Sequence, residues 1–141
     1  MTPQSLIDAA KAPTLAYGDK KWDAVKAAVA PGVIYDEVAT HRKLTGADAV
    51  TEAWKGWAAA FPDSRATFHN AHVSGNTVIL ELNWRGMHKG PLVTPNGQIA
   101  PTGKSIDIPA CQVVEIADGK VKSLRQYFDM ATMMQQLGVN A

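Results

Sequence analysis

Glu37, His88, Gln112 and Gln126 are the side chains in this sequence whose type and setting could support chemistry. Glu37 shares strand parity with Val33 and Tyr35, so its carboxyl falls on the apolar side of Val33–Glu37. That makes it a candidate general base. Asp36 has the opposite parity, and both carboxyls also read as solvated loop groups. His88 ends the stretch Thr77–His88 with the parity of Leu82 and Trp84. It is a candidate base, a rim residue, or a histidine whose polar atoms the fold satisfies.

The two glutamines are the more informative pair. In Ser105–Ile116 the face that carries Ile106, Ile108, Ala110, Val114 and Ile116 also carries Gln112. In Val121–Phe128, Gln126 shares a face with Leu124 and Phe128. Both amides therefore point inward. A buried amide without a partner costs about 1–3 kcal/mol. Either the glutamines bond each other or the backbone, or they line a pocket and meet water or a ligand. Tyr35 lies on the inward face of its strand and Trp84 on that of its own. Trp54 belongs to a stripe with Val50, Trp57 and Phe61 that reads as core, part of it flooring the pocket. Tyr35, Trp54, Trp84, Gln112 and Gln126 are the expected ligand contacts.

Other chemistries find no support. The single cysteine, Cys111, has the parity opposite to Gln112 and reads as structural. His41, His69 and His72 lack a metal-ligand spacing, and there is no GxGxxG or GxxxxGK loop. No metal or organic cofactor is expected. A formal net charge of +1 gives no global field for nucleic acid or an anionic membrane. No window is apolar for long enough to span a bilayer, and the N-terminal segment lacks the pattern of a secretory leader. A cytoplasmic location is the expectation.

The elements that must position these residues follow from periodicity and turn signals. Residues 3–11 read as a helix that Pro13 breaks or bends, and residues 20–30 as a second helix closed by Pro31-Gly32. Short strands are expected at Val33–Glu37 and His41–Leu44. A third helix opens at Gly46-Ala47-Asp48 and runs to about Phe61. Strands follow at Arg65–Val73, Thr77–His88, Ser105–Ile116 and Val121–Phe128, with turns at Gly75-Asn76 and Asp118-Gly119. The Pro- and Gly-rich segment Gly90–Gly103 reads as a loop near His88, suited to a lid. Asp129 caps a short C-terminal helix that ends at Gly138. The 141 residues suit a single α+β domain in which a curved antiparallel sheet wraps around helices and leaves a hollow for a small hydrophobic molecule.

Four segments lie in order along the chain. They are Trp84-Arg85-Gly86-Met87-His88-Lys89-Gly90-Pro91, Pro101-Thr102-Gly103-Lys104, Asp118-Gly119-Lys120-Val121, and Tyr127-Phe128-Asp129 leading into Gln135-Gln136-Leu137-Gly138. Together with the N-terminal helices they resemble the SnoaL-like polyketide (ester) cyclases of the nuclear transport factor 2-like superfamily. The resemblance implies a cone-shaped barrel fold, usually oligomeric and cofactor-free, with a pocket for carbonyl-bearing polycyclic or isoprenoid-like molecules. It also implies a proton-moving aspartate on the last strand and an assisting histidine on the strand before. Those two positions fall on Gln126 and Gln112. Glutamine cannot take a proton as a base, which sets this chain apart from the family's aldol cyclisation. The related ketosteroid isomerases keep a carboxylate on the first short strand, which falls on Glu37, or on Asp36 with a one-residue slip.

Three readings follow. The first is a cofactor-independent acid–base enzyme, a cyclase, isomerase, lyase or epoxide-opening type. It acts on a small hydrophobic carbonyl or polycyclic compound, with Glu37 or His88 as base and Gln112, Gln126 and Tyr35 holding the substrate oxygen. The second is a non-catalytic binding or dimerisation module. The third is a site built elsewhere on the scaffold, around Asp107 or Asp36. Ile79, Met87 and Val113 on the outer sheet face suit a homodimer.

Overall fold

The computed structural model describes residues 1–139. The chain begins with helix α1 (Pro3–Gly18), whose N-terminus is capped by the Thr2 hydroxyl accepting from the Ser5 N–H. Pro13 lies inside this helix and does not end it. Proline removes one N–H, but Pro13, Thr14 and Tyr17 are all buried. Burial of that last stretch outweighs the missing bond, so the expected break is corrected. Helix α2 (Trp22–Ala28) is shorter than expected because strand β1 (Val29–Glu37) starts at Val29 rather than Val33. Pro31 fits there because the neighbouring strand β2 (Arg42–Thr45) pairs only with Ile34–Glu37. Pro31 thus sits on a free edge, beside a register irregularity between Val29 and Ile34.

Helix α3 (Ala47–Ala60) carries Val50, Trp54 and Ala58 into the core. Four further strands follow: β3 (Arg65–Ser74), β4 (Thr77–Met87), β7 (Ser105–Ala117) and β8 (Lys120–Phe128). The segment expected to be a loop contains a small hairpin, β5 (Leu92–Thr94) and β6 (Gly97–Ile99). Helix α4 (Met130–Leu137) is capped by Asp129, which accepts from the Thr132 N–H, and Gly138 closes it at φ 73°.

The six long strands form one sheet in the order β2-β1-β8-β7-β4-β3. It is mixed rather than antiparallel, because β1 runs parallel to β8. Helices pack against one face, α1 on β3 and β7, and α3 on β1. The α+β layer expected from the order of helices and strands is present; the direction of one pair is not as expected. Period-2 reading cannot show pairing direction, since the same alternation serves both ladders.

Register brings the polar residues into line. Glu37 pairs with Gln126 across β1 and β8, and Gln126 pairs with Gln112 across β8 and β7. The apolar core falls into two groups. One surrounds Leu80, Val114 and Leu124 under α1 and α3; the other gathers Phe61, Ile106, Ile108, Met133 and Leu137 at the α4 end.

Candidate functional site

Between α1, α3 and the inner sheet face lies a cavity of about 60 Å³. Its wall is mostly aromatic: Tyr17, Tyr35, Trp54, Trp57, Trp84 and Phe128. Tyr17 on α1 sets the arrangement, standing edge-on to Trp22, Trp54 and Trp84. Such pairs each add about 0.5–1.5 kcal/mol beyond area burial. The polar atoms at the wall come from Tyr35, Gln126 and the pair Tyr17–Ser64, whose hydroxyls share a hydrogen bond. Burial pushes the Tyr17 phenol up to about 12, partly offset by the Ser64 bond. It is a neutral phenol at physiological pH.

Behind this wall runs a chain of hydrogen bonds. The Gln112 amide donates to Thr14 Oγ1 at 3.2 Å and to Gln126 Oε1 at 3.0 Å. Gln126 Oε1 also accepts from Trp84 Nε1 at 2.9 Å. The Gln126 amide donates to Tyr35 Oη at 2.9 Å, and Tyr35 donates to Glu37 Oε2 at 2.7 Å. Glu37 is 0% exposed. Its carboxylate takes four donors: Tyr35 and Trp57 Nε1 on Oε2, Thr40 Oγ1 and Arg42 on Oε1. The 3-10 turn Val38–Thr40 and the cross-strand pair Glu37–Arg42 bring the last two into place. Burial and the Glu37 charge hold the Tyr35 pKa well above the usual phenol value, with smaller opposing effects from Gln126 and Trp54.

The mutual bond expected of the inward glutamines is present, and only Gln126 of the two borders the cavity. Tyr35, Trp54 and Trp84 border it too. Glu37 and Gln112 stand one bond behind the wall.

His88 is placed differently. It lies just past β4, 0% exposed, stacked on Phe61, and it does not border the cavity. Its Nδ1 accepts from the Thr102 N–H at 3.1 Å, and the Thr102 hydroxyl is 3.0 Å from the same nitrogen. The ring proton therefore sits on Nε2. The backbone agrees: His88 N donates to Lys104 O, and Gly103 N to His88 O. His88 ties the start and end of the hairpin segment together. Asp107 and Asp36 do not border the cavity either; Asp107 is exposed and bonds Arg85 and Asn83. Cys111 is half-buried, its thiol pushed up by burial and by Glu81.

Burial lowers the His88 pKa from its usual 6.5, with the Gly90 backbone acting the other way. Below about pH 6.5 the unfolded chain takes up a proton that the folded ring declines. Stability is thus complete above that pH and falls as pH drops towards the folded-state value. His88→Asn keeps an acceptor near the Nδ1 position and removes the titration. Thermal unfolding followed across pH is expected to slope downward on acidification more steeply in the wild type than in the variant. Equal slopes would remove His88 as the source.

Tyr17, Ser64, Trp57, Phe128 and Met133 border the cavity without having been marked as ligand contacts. Tyr17 lies beyond Pro13, where the helix was expected to have stopped. Trp57 was visible in the aromatic stripe, but its Nε1 bond to Glu37 depends on the packing of α3 on β1. Among the described residues no group of His, Cys, Asp or Glu is placed to hold a metal ion, and no helix is long and apolar enough to cross a membrane.

The sequence profile of the SnoaL-like polyketide cyclases matches residues 8–137. No curated protein matches the chain. Solved structures do. TsrD from Streptomyces laurentii superposes with TM-score 0.84 at 18% identity, covering 99% of each chain. An LEH-like epoxide hydrolase from M. tuberculosis gives 0.73 at 20% identity over 95% of this chain and 90% of its own. A Catenulispora acidiphila protein with a ketosteroid isomerase-like fold, solved with trimethylamine, gives 0.78 at 17% identity over 99% and 96%. At these identities the likeness concerns the fold.

Proposed function

This chain belongs to the SnoaL-like polyketide cyclase family, and from that premise we propose that it is a cofactor-independent acid–base enzyme whose proton passes through Tyr35. The observation that carries the reading is the Tyr35 hydroxyl. It stands in the cavity wall, 2.7 Å from a fully buried carboxylate and 2.9 Å from the Gln126 amide. A phenol with so high a pKa does not act as a base alone. As a relay it can: Tyr35 Oη takes a proton from the ligand while its own proton shifts to Glu37 Oε2. Thr40 and Arg42 hold Oε1 throughout, and the Gln126 amide fixes the phenol. As a structural tie alone, a buried carboxylate paired with a partly exposed arginine gives little that apolar packing would not. Its place one bond behind the aromatic cavity supports a functional role.

Pockets for drug-sized ligands run to about 300–1,000 Å³. This one is far smaller, which favours a compact substrate over a polycyclic one. The homodimer expected from the sequence stays part of the proposal, since Ile79 and Tyr127 stand exposed.

A non-catalytic binder is the second reading. It is favoured by the absence, among the described residues, of any carboxylate or imidazole at the cavity wall. Native mass spectrometry and thermal shift against phenols, cyclic enones and terpenoid epoxides, followed by product analysis, separate the two. On a compound that is converted, Tyr35→Phe and Glu37→Gln are each expected to lower kcat at least ~100-fold, the scale of general acid–base catalysis. Unchanged kcat in Tyr35→Phe removes the relay. Compounds that stabilise the protein but return unaltered establish the binder.

A further inference from the structure

The hairpin β5–β6 stands apart from the six-stranded sheet, its two strands pairing only with each other. Two strands alone are at best marginally stable in water. Of residues 91–104 only Leu92 is buried. Leu92 belongs to the core group of Phe61, Ile106, Ile108 and Met133, and all four of those side chains border the cavity. The segment thus backs one end of the cavity wall while holding few apolar contacts of its own. Segments of that kind open locally at low cost, so what keeps this one closed lies at its root.

The root is gathered on one residue. His88 N donates to Lys104 O at 2.8 Å, and Gly103 N donates to His88 O at 2.9 Å. The next two N–H groups, of Lys89 and Gly90, bond Ala60 O at the end of α3. The imidazole adds the tie to Thr102, whose N–H it accepts at Nδ1 over 3.1 Å. That tie exists only while Nδ1 is unprotonated. With a proton there, two N–H donors face each other, and the Thr102 N–H loses its acceptor. The charged groups around the ring are Lys89 beside it, Lys104 on the opposite chain, and Asp63 beyond α3, which accepts the Met87 N–H. None of them bonds the imidazole, so a cation there is left without a carboxylate. The Gly90 backbone favours the charged ring, and burial outweighs it.

We propose that His88 is an acid-operated clasp: a proton taken up at Nδ1 breaks its bond with Thr102 and releases the segment Gly90–Gly103 from α3, while the six-stranded sheet stays closed. One solvent proton enters per opening, and only hydrogen bonds break. In the open segment the ring regains the ordinary histidine pKa of about 6.5, whereas in the closed one it lies lower. Above about pH 6.5 the clasp is fully closed. Below it the open form binds a proton that the closed form declines, so opening grows by up to about tenfold per pH unit until the folded-state value is passed. Opening takes Leu92 from behind the cavity wall. The clasp stands independently of the Tyr35 relay, because none of its residues belongs to that network.

The test is amide hydrogen exchange of the wild type, followed residue by residue by NMR at about pH 7 and about pH 5 and corrected for the intrinsic pH dependence of exchange. The N–H groups of His88, Lys89, Gly90, Thr102 and Gly103 are expected to open about tenfold more often at the lower pH. Those of Leu80 and Val114, in the middle of the six-stranded sheet, are expected to stay as protected as before. In His88→Asn the same segment is expected to open equally at both pH values. Equal opening of the segment at the two pH values in the wild type overturns the clasp, since the ring then does not control it. A gain shared equally by Leu80 and Val114 overturns it too, since acid then loosens the whole fold rather than this segment. Both comparisons are made within the wild type and decide the matter even if the variant does not fold.

Discussion

Glu37→Ala is expected to cost about 3–5 kcal/mol of stability, the scale for removing one partner of a buried ionic group. The deletion strands the donors of Tyr35, Trp57, Thr40 and Arg42 together. Arg42 keeps some access to water, with 41% of its side chain exposed, whereas Tyr35 is 1% exposed. The loss therefore comes mainly from the buried end of the network. Glu37→Gln keeps the volume and one oxygen but sets an NH₂ against two donors, and about 1–3 kcal/mol is expected. Urea denaturation measures both, as a lower midpoint at unchanged slope. A midpoint for Glu37→Ala equal to the wild type would mean that the network does not hold β1, β2 and α3 together.

Gly90→Ala is the second large effect. A Cβ at residue 90 would overlap the Ala59 carbonyl oxygen and lie 2.9 Å from its carbon. Both atoms belong to the backbone of α3, which cannot swing aside as a side chain can. Lys89 and Gly90 each donate an N–H to Ala60 O, so the clash falls where the hairpin segment is stitched to that helix. About 3 kcal/mol or more is expected, the upper end for overpacking. Gly56→Ala is the control. It lies in the same helix with nothing within 4 Å of the added methyl, and it should raise stability by roughly 0.5–1 kcal/mol. A Gly90→Ala protein as stable as the wild type would show that the segment can lift off α3 without loss.

What was legible in the sequence was whatever depends on one strand or one helix at a time. Parity turned Gln112 and Gln126 inward, and both are buried, whereas Glu37, which the sequence left open to a solvated loop position, is buried as well. Asp129 and Gly138 marked the ends of the last helix. What pairs with what was less accessible. The row Glu37–Gln126–Gln112 exists because β1 lies beside β8 in parallel, and no local pattern specifies that. Pro13 misled for a similar reason. The rule that proline breaks a helix is local, while the burial of Thr14 and Tyr17 that carries α1 past it is tertiary. With that turn of helix went Tyr17, and with Tyr17 the view of Ser64. His88 was read as a base, a rim residue or a satisfied histidine, and it lies outside the cavity wall. Its role in holding the hairpin segment through Thr102 needed the two ends of a 14-residue separation to meet.

The parallel pairing of β1 with β8 also bears on how the molecule comes into being. The strand that carries Tyr35 and Glu37 is made early and waits for residues 120–128, nearly the last of the described chain, before its ladder on that side closes. Until then Tyr35 lacks Gln126, although Gln126 can already meet Gln112 across the local β7–β8 hairpin. A nascent chain can assemble the β3–β4 hairpin from near neighbours, but the polar row demands closure of a loop most of the chain long. Of the cavity wall, it is the contact between Tyr35 and Gln126 that depends on this distant pairing of β1 with β8.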